Sequence, residues 1–323
     1  MNTRNTQFTA PTVRHLTWCL LSSPLAAMDS IQSLSISNDE ALFIWLDQLN
    51  KNPSHLLKYI QENNHRLLGS YFECLWQYYF LHGPNAHLLD HHVQVSDGKQ
   101  TLGEMDILAM LHDQSYHIEL AVKFYLQLPN TSGKQPAHWV GPQSHDRLDI
   151  KLEKLQQKQF PFLYHPCTTH LLVEKNLDND YTQALALKGY LFREYTADSQ
   201  LTKKSAEQLP EACEHGSKGK LSHSPNLANW IHAKNLQQVL DKQEAHWAIL
   251  EKHQWLGEYF AQSDEQVSAS SQVQTTIHQH FYENKQPQKI FALMLVKMEK
   301  VNGGYLESER YFVVHDHWPA HPE

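Results

Sequence analysis

Cysteine is scarce in this chain. Cys19, Cys74, Cys167 and Cys213 are its four cysteines in 323 residues, and no two of them stand in a Cys-x-x-Cys spacing. That pattern excludes a dense disulfide framework and argues against a structural zinc site; a reducing, cytoplasmic setting is expected. Long apolar runs are lacking as well. The longest, residues 290 to 296, has seven residues, far short of the ~20 that a membrane-spanning helix needs, so no membrane partner is expected. The apolar stretch after Arg4 and Arg14 is interrupted by His15, Thr17, Ser22, Ser23 and Pro24, and reads as a first helix rather than a signal peptide. Positive charge is in deficit: 27 Lys and Arg face 35 Asp and Glu, a net charge of −8. The long-range field therefore repels a phosphate backbone, and any contact with nucleic acid must come from a local basic patch. No Gly-x-Ser-x-Gly elbow or Cys-His arrangement points to a metal-independent hydrolase.

What is present suffices for a folded protein: hydrophobic residues make up 41% and aromatics 11%, enough to bury a substantial core. Histidine is abundant, with 23 residues and a local concentration at His82, His87, His91 and His92. No His-Glu-x-x-His or comparable pairing organises them, so a histidine metal cluster is not the favoured reading.

Periodicity divides the chain. Ala41, Leu42, Trp45, Leu46 and Leu49 recur at helical spacing behind Asn38 or Asp39 as a cap, Pro53 can open another helix, and residues 1–65 read as a helical part. An α/β core is expected over 66–195. It comprises a helix at 71–82, strands at 87–96, 102–111 and 115–127, an amphipathic helix at 144–159, and strands at 168–173 and 189–193. Residues 196–226, with Pro210, Gly216, Gly219 and Pro225, read as a polar linker or insertion. Residues 227–323 follow as a C-terminal α+β region, closed by a hairpin in which 290–301 and 305–314 flank Asn302-Gly303-Gly304.

The chemistry concentrates in the core. From Tyr116 to Leu126 the even positions are apolar, while the odd ones include His117, Glu119, Ala121 and Lys123, the pattern of a half-buried strand. In the preceding strand Gly103, Met105, Ile107, Ala109 and Leu111 face one way, and Glu104 and Asp106 the other. A hairpin through His112-Asp113-Gln114-Ser115 would pair 111 with 116 and set Asp106 opposite Ala121, diagonal to Glu119 and Lys123. The small Ala121 would leave room for an ion between the carboxylates. Mg²⁺ or Mn²⁺ favours such oxygens, and a nearby lysine can orient water or stabilise phosphate charge, so the set suits phosphodiester hydrolysis.

The order of a helix Glu73, a strand Asp106, then a strand with Glu119 and Lys123 resembles the PD-(D/E)XK nuclease-like superfamily. More narrowly, Val13-Arg14-His15-Leu16-Thr17-Trp18, Glu119 to Leu126, Gly141-Pro142-Gln143, Asp146-Arg147-Leu148-Asp149 with Lys151, and Phe312-Val313-Val314 with Trp318-Pro319 resemble the bacterial family called domain of unknown function 1853. The resemblance implies a restriction-endonuclease-like α/β fold: a mixed sheet flanked by helices, with N-terminal helices and a C-terminal α+β extension. It implies Asp106, Glu119 and Glu73 as metal ligands and Lys123 beside them as a catalytic residue. The family brings no substrate. The superfamily's second carboxylate stands two residues before the lysine, where this chain has Ala121, and Glu119 stands four before.

Each member also has a purely structural reading. Ser70 and Glu73 have capping-box spacing, and Glu104 opposite Lys123 could be a surface ion pair. Beside the apolar line of Leu148, Leu152 and Leu155, Arg147, Lys151, Lys154 and Lys158 make a basic row that could bind the phosphates of nucleic acid, or be an ordinary solvated face. Two functions therefore stand open: a divalent-metal nuclease, and a catalytically degenerate module of the same fold that binds nucleic acid or protein.

Overall fold

The computed structural model describes residues 8–63, 67–196, 219–240, 245–284 and 291–319. Most of the expected linker, 197–218, lies outside the described residues, and Cys213 with it. The chain is mixed α/β, with a large mixed sheet flanked by helices. No helix among the described residues is long and apolar enough to cross a membrane.

Helix α1 (Pro11–Leu21) starts on a proline, whose missing N–H has no intrahelical partner to lose at that position. Short strands β1 (Ala26–Ala27) and β2 (Gln32–Ser33) follow. In α2 (Glu40–Lys51) the Asp39 side chain accepts from Leu42 N at 2.9 Å, and Leu42, Leu46 and Leu49 are buried. Helix α3 (Ser54–Glu62) begins directly after Pro53. Helix α4 (Leu68–His82) starts earlier than the spacing predicts. Ser70 therefore sits inside its first turn, with Oγ donating to Leu67 O at 2.9 Å, and the expected Ser70–Glu73 capping box does not form.

Strands β3 (Ala86–Ser96), β4 (Thr101–Leu111) and β5 (Gln114–Gln127) make an antiparallel meander within a residue of their predicted starts. After β6 (Trp139–Val140), the expected helix at 144–159 is α-helical over α5 (Leu148–Lys154), then widens into a π-turn at Leu155–Gln159 and tightens to a 3-10 turn at Phe160–Tyr164. Pro161 has no N–H for the next α-turn and its ring crowds the carbonyl four residues back, so a regular helix cannot continue through it.

The strand expected at 168–173 is instead helix α6 (Pro166–Glu174). Pro166 occupies the first turn, His165 Nδ1 accepts from Cys167 N at 3.2 Å, and the buried residues Thr168 and Leu172 are four apart. Cap and burial spacing override the β-propensity of the segment. The chain continues with β7 (Thr182–Glu194), β8 (Lys220–Leu221), β9 (Leu227–His232), α7 (Gln237–Leu240), β10 (His246–Leu250), β11 (Phe260–Ala261), β12 (Ser268–Ala269), α8 (Ser270–His278), β13 (Leu293–Val301) and β14 (Gly304–Val314).

Contacts divide the chain into two compact units. The first takes Met1–Lys123, Asp149–Lys188 and Gly216–Ser222. Within it lie the β3–β4–β5 meander, a parallel pairing of β2 with β7, and the β1–β8 pair. One of its cores joins Val93, Val95 and Met105 to Leu163, Leu172 and Tyr181. The second takes Phe124–Leu148, Gly189–His215 and His223–Glu323. Its strands run β12-β10-β13-β14-β9-β7, parallel at β14–β9 and β9–β7 and antiparallel elsewhere. Trp247, Leu295, Tyr311, Val313, Ile277 and Phe281 are buried together there.

The terminal hairpin forms as the sequence predicts, but it turns through Asn302-Gly303 alone, with Gly303 at φ +90° and Gly304 already paired in β14. At Gly304 a Cβ would come 2.2 Å from the Ala261 carbonyl oxygen of β11, a backbone atom that cannot move without breaking the β11–β14 pairing. Gly304→Ala should therefore destabilise the protein by about 2 kcal/mol or more, read as a lower urea midpoint. A midpoint equal to that of the wild type would contradict this packing.

Candidate active site

The β4–β5 hairpin sets the site. Its turn has two residues, His112 and Asp113, rather than the four expected, and His112 adopts φ +52°, the left-handed conformation that such tight turns require. Leu111 therefore pairs with Gln114, and the register differs by two residues from the predicted one. Because the shift is even, the faces are as predicted, but the partners change. Continued one step past Ile107/Ile118, this register carries Asp106 toward Glu119 instead of Ala121 and away from Lys123, so neither the expected Asp106–Lys123 diagonal nor the expected Glu104–Lys123 cross-strand pair holds. Glu104 pairs with Gln94 of β3.

The β4–β5 ladder runs from Leu111/Gln114 to Ile107/Ile118. At the next position a carboxylate takes over from a carbonyl as acceptor. Asp106 Oδ2 accepts from Leu120 N at 2.8 Å, and the Asp106 backbone N–H lies close enough to the Glu119 carboxylate to favour its charge. Glu119 lies on a strand expected to be half-buried, yet residues 117–121 are buried on both faces and Glu119 has 0% exposure. Its Oε1 is 3.1 Å from His117 Nε2, and its Oε2 accepts from Gln159 Nε2.

Gln159 reaches Glu119 from the end of the π-turn, and its Oε1 accepts from Lys151 Nζ at 3.1 Å. Lys151 thus turns from the expected basic row toward the carboxylates. Lys154 and Lys158 are exposed, whereas Arg147 precedes α5 and bridges to Val140 within the second unit. The expected four-residue basic row is therefore not one row. Lys123 is half-buried on β5 and its charge acts on Lys151.

At the rim, His92 of β3 adopts φ +50° and joins two elements. Its Nδ1 is 2.8 Å from Glu104 Oε1, to which it donates, and its Nε2 is 3.0 Å from Gln77 Nε2. Glu73 of α4 stands 3.9 Å from the same Nε2, too long for a hydrogen bond.

Three carboxyls titrate abnormally. Asp106 rises to about 7 because burial disfavours its charge and Glu119 repels it, against the pull of the Leu120 N–H and Lys151. Glu119 rises to about 7 through burial, opposed by Lys151 and Lys154. Glu73 rises to about 7 through burial and the Asp106 charge. Burial lowers Lys151, and it takes His117 down to about 4, so that imidazole is neutral at pH 7. Its Nε2–H then donates to Glu119, and its Nδ1 is buried with no hydrogen-bond partner among the described residues. Perturbed carboxyls gathered with a lysine are what an acid–base or cation-binding centre presents.

Among the described residues no three His, Cys, Asp or Glu side chains come together as a metal-binding group. Asp106 and Glu119 nonetheless form a hard-oxygen pair, and two carboxylates suffice for Mg²⁺ or Mn²⁺ when water and phosphate oxygens complete the sphere. Gln159 escaped the sequence reading because Gln156-Gln157-Lys158-Gln159 looks like any solvated helix face. His117 was legible, being two residues from Glu119 on the same side of a strand.

Comparison with known proteins adds a family. The family model described as "Domain of unknown function (DUF1853)" matches residues 14–314. No curated protein and no solved structure matches the chain.

The carboxyl shifts have a stability consequence. Asp106, Glu119 and Glu73 reach about 7 in the folded chain, against ~4 when unfolded. Between those values the folded state retains protons that the unfolded state has released, so stability falls as pH rises from ~4 to ~7 and then levels off. Asp106→Asn removes one such group and relieves Glu119. The variant should lose less stability than wild type between about pH 5 and about pH 8; urea midpoints at the two values measure it, and an equal loss in both proteins would refute the buried-pair account.

Proposed function

Since this chain belongs to the family described as domain of unknown function (DUF1853), whose name carries no substrate, we propose from the site itself a divalent-metal-dependent phosphodiesterase of nucleic acid, with a PD-(D/E)XK-like core. The observation that supports it is the meeting of Asp106 and Glu119 just past the last β4–β5 pair, Ile107 with Ile118, where Asp106 Oδ2 takes the Leu120 N–H and both carboxyls stand at about 7. In this register Glu119, not Ala121, is the β5 residue that approaches Asp106, although it stands four residues before Lys123 where the superfamily's carboxylate stands two before.

In this reading Asp106 and Glu119 hold Mg²⁺ or Mn²⁺, with Glu73 at the rim. The ion, when bound, supplies Lewis-acid polarisation of a phosphate and a more acidic water. Lys151 places positive charge beside the carboxylates, where it can hold a phosphate oxygen, and Lys123, four residues past Glu119 on β5, acts on Lys151. The exposed Lys154 and Lys158 extend that charge outward and bind the backbone without reading bases.

A second reading, a non-catalytic nucleic-acid or protein-binding module of the same fold, is favoured by one fact: both Glu119 oxygens already accept hydrogen bonds from His117 and Gln159. An assay separates the two. Purified protein with Mg²⁺ or Mn²⁺ should cut DNA or RNA, and Asp106→Ala should reduce cutting at least ~100-fold while the fold survives, since it removes a ligand. Undiminished cutting by folded Asp106→Ala would assign the activity elsewhere, and no cutting by wild type on either polymer would favour the module.

Lys154 and Lys158 generate a separate expectation. Changing both to Gln should weaken nucleic-acid binding and reduce the slope of log affinity against log salt by ~1 to 2 units, because fewer counterions are released. An unchanged slope would make them a solvated face.

A further inference from the structure

We propose that Gln159 is a latch on the carboxylate pair: in the resting structure its amide occupies Glu119, and a divalent cation engages that carboxylate only after the π-turn releases it. This inference rests on reading Asp106 and Glu119 as a cation site and concerns the regulation of that site.

The amide has one workable orientation. Lys151 Nζ has only protons to offer, so the Gln159 atom 3.1 Å from it is the oxygen, and the NH₂ group is turned onto Glu119 Oε2. The other oxygen of Glu119 takes His117 Nε2–H at 3.1 Å, and the side chain is fully buried. With a donor on each oxygen and no exposure, the Glu119 carboxylate is closed to an incoming cation until one of the groups packed on it moves. His117 cannot leave easily: it is itself at 0% exposure and its ring lies edge-on to Phe160 at 5.8 Å. Gln159 is only half-buried, and it is carried by the widened turn.

That turn is a natural two-position element. A π-turn holds one residue more than an α-turn, so its return to α-helical winding rotates the chain beyond it by about 100°, one residue's worth, and takes the amide off Glu119. The closed form also leaves a polar atom unserved within the same turn. Gln156 Oε1 is buried with no hydrogen-bond partner among the described residues, a cost that a different winding can relieve. Opening frees Lys151 from Gln159 at the same moment, so the step that uncovers a carboxylate for a cation also offers an ammonium to a phosphate oxygen. A substrate phosphate arriving with its cation would thereby favour the open form, which ties uncovering of the site to occupancy.

The test is Mn²⁺ binding, followed by the shift in thermal unfolding midpoint and by calorimetric titration, without any activity readout. Wild type, Gln159→Ala, Gln159→Asn and the double variant Gln159→Ala with Asp106→Asn are compared, each first shown to unfold cooperatively without Mn²⁺. A latch predicts that Gln159→Ala binds Mn²⁺ roughly tenfold more tightly than wild type, because no amide competes for Glu119. Gln159→Asn, one methylene too short to hold Lys151 and Glu119 together, should fall between them, and carries the comparison if the Ala variant does not fold. The double variant should lose the gain. Measurable Mn²⁺ binding by wild type with equal or weaker binding by Gln159→Ala overturns the latch and leaves the cation site standing. No Mn²⁺ response in either protein up to the millimolar range overturns both.

Discussion

A carboxylate wholly withdrawn from water must be hydrogen-bonded, or its desolvation costs several kcal/mol, and the centre of the first unit is organised around that requirement at Glu119. The β4–β5 ladder ends one residue before it would place Asp106 against Glu119. From there the Asp106 N–H favours the charge on Glu119 and the Leu120 N–H serves Asp106. Where the strands part, the Leu120 N–H is served by a carboxylate in place of a carbonyl, and bonds to a charged acceptor are the stronger ones. His117 and Gln159 complete the shell, and the latter ties the position of a helix end to the state of a strand.

Two acidic groups side by side, with a third at the rim, are an unfavourable arrangement that folding alone does not need. The second unit shows what a purely structural buried charge looks like. Arg310, 5% exposed, donates to both oxygens of Glu307 at 2.7 Å, to the Trp255 carbonyl at 2.8 Å, and lies 4.4 Å over the Tyr190 ring. There Glu307 and the nearby Glu258 face one guanidinium, which is enclosed by acceptors and an aromatic face. In the first unit like charges are gathered, Lys151 offsets them only in part, and three carboxyls are left near the pH at which they can hold or release a proton. Stored electrostatic stress of this kind is what the proposed cation site would relieve.

The element boundaries that depend on short-range pattern were legible. Alternation of apolar residues located β3, β4 and β5 to within a residue, the Asn38-Asp39 pair announced the start of α2, and Asn302-Gly303-Gly304 announced the terminal hairpin. The composition of the candidate site was partly legible too, because side-chain parity in a strand depends only on counting by two. Asp106 and Glu119 had to share a face in any register that respects the hydrophobic pattern.

Tertiary structure decided which of the allowed registers is formed, and so which residue faces which. That choice hangs on the φ of His112, a conformation that nothing in its residue type demands, and on the packing that makes the two-residue turn preferable to a four-residue one. It likewise decided that residues 168–173 are helical, where Pro166 and the burial of Thr168 and Leu172 outweigh local β-propensity. The widening of α5 into a π-turn, which delivers Gln159 to Glu119, is a matter of helix winding. Winding responds to what the helix packs against and to the proline beyond it, and a polar run of glutamines carries no mark of the difference.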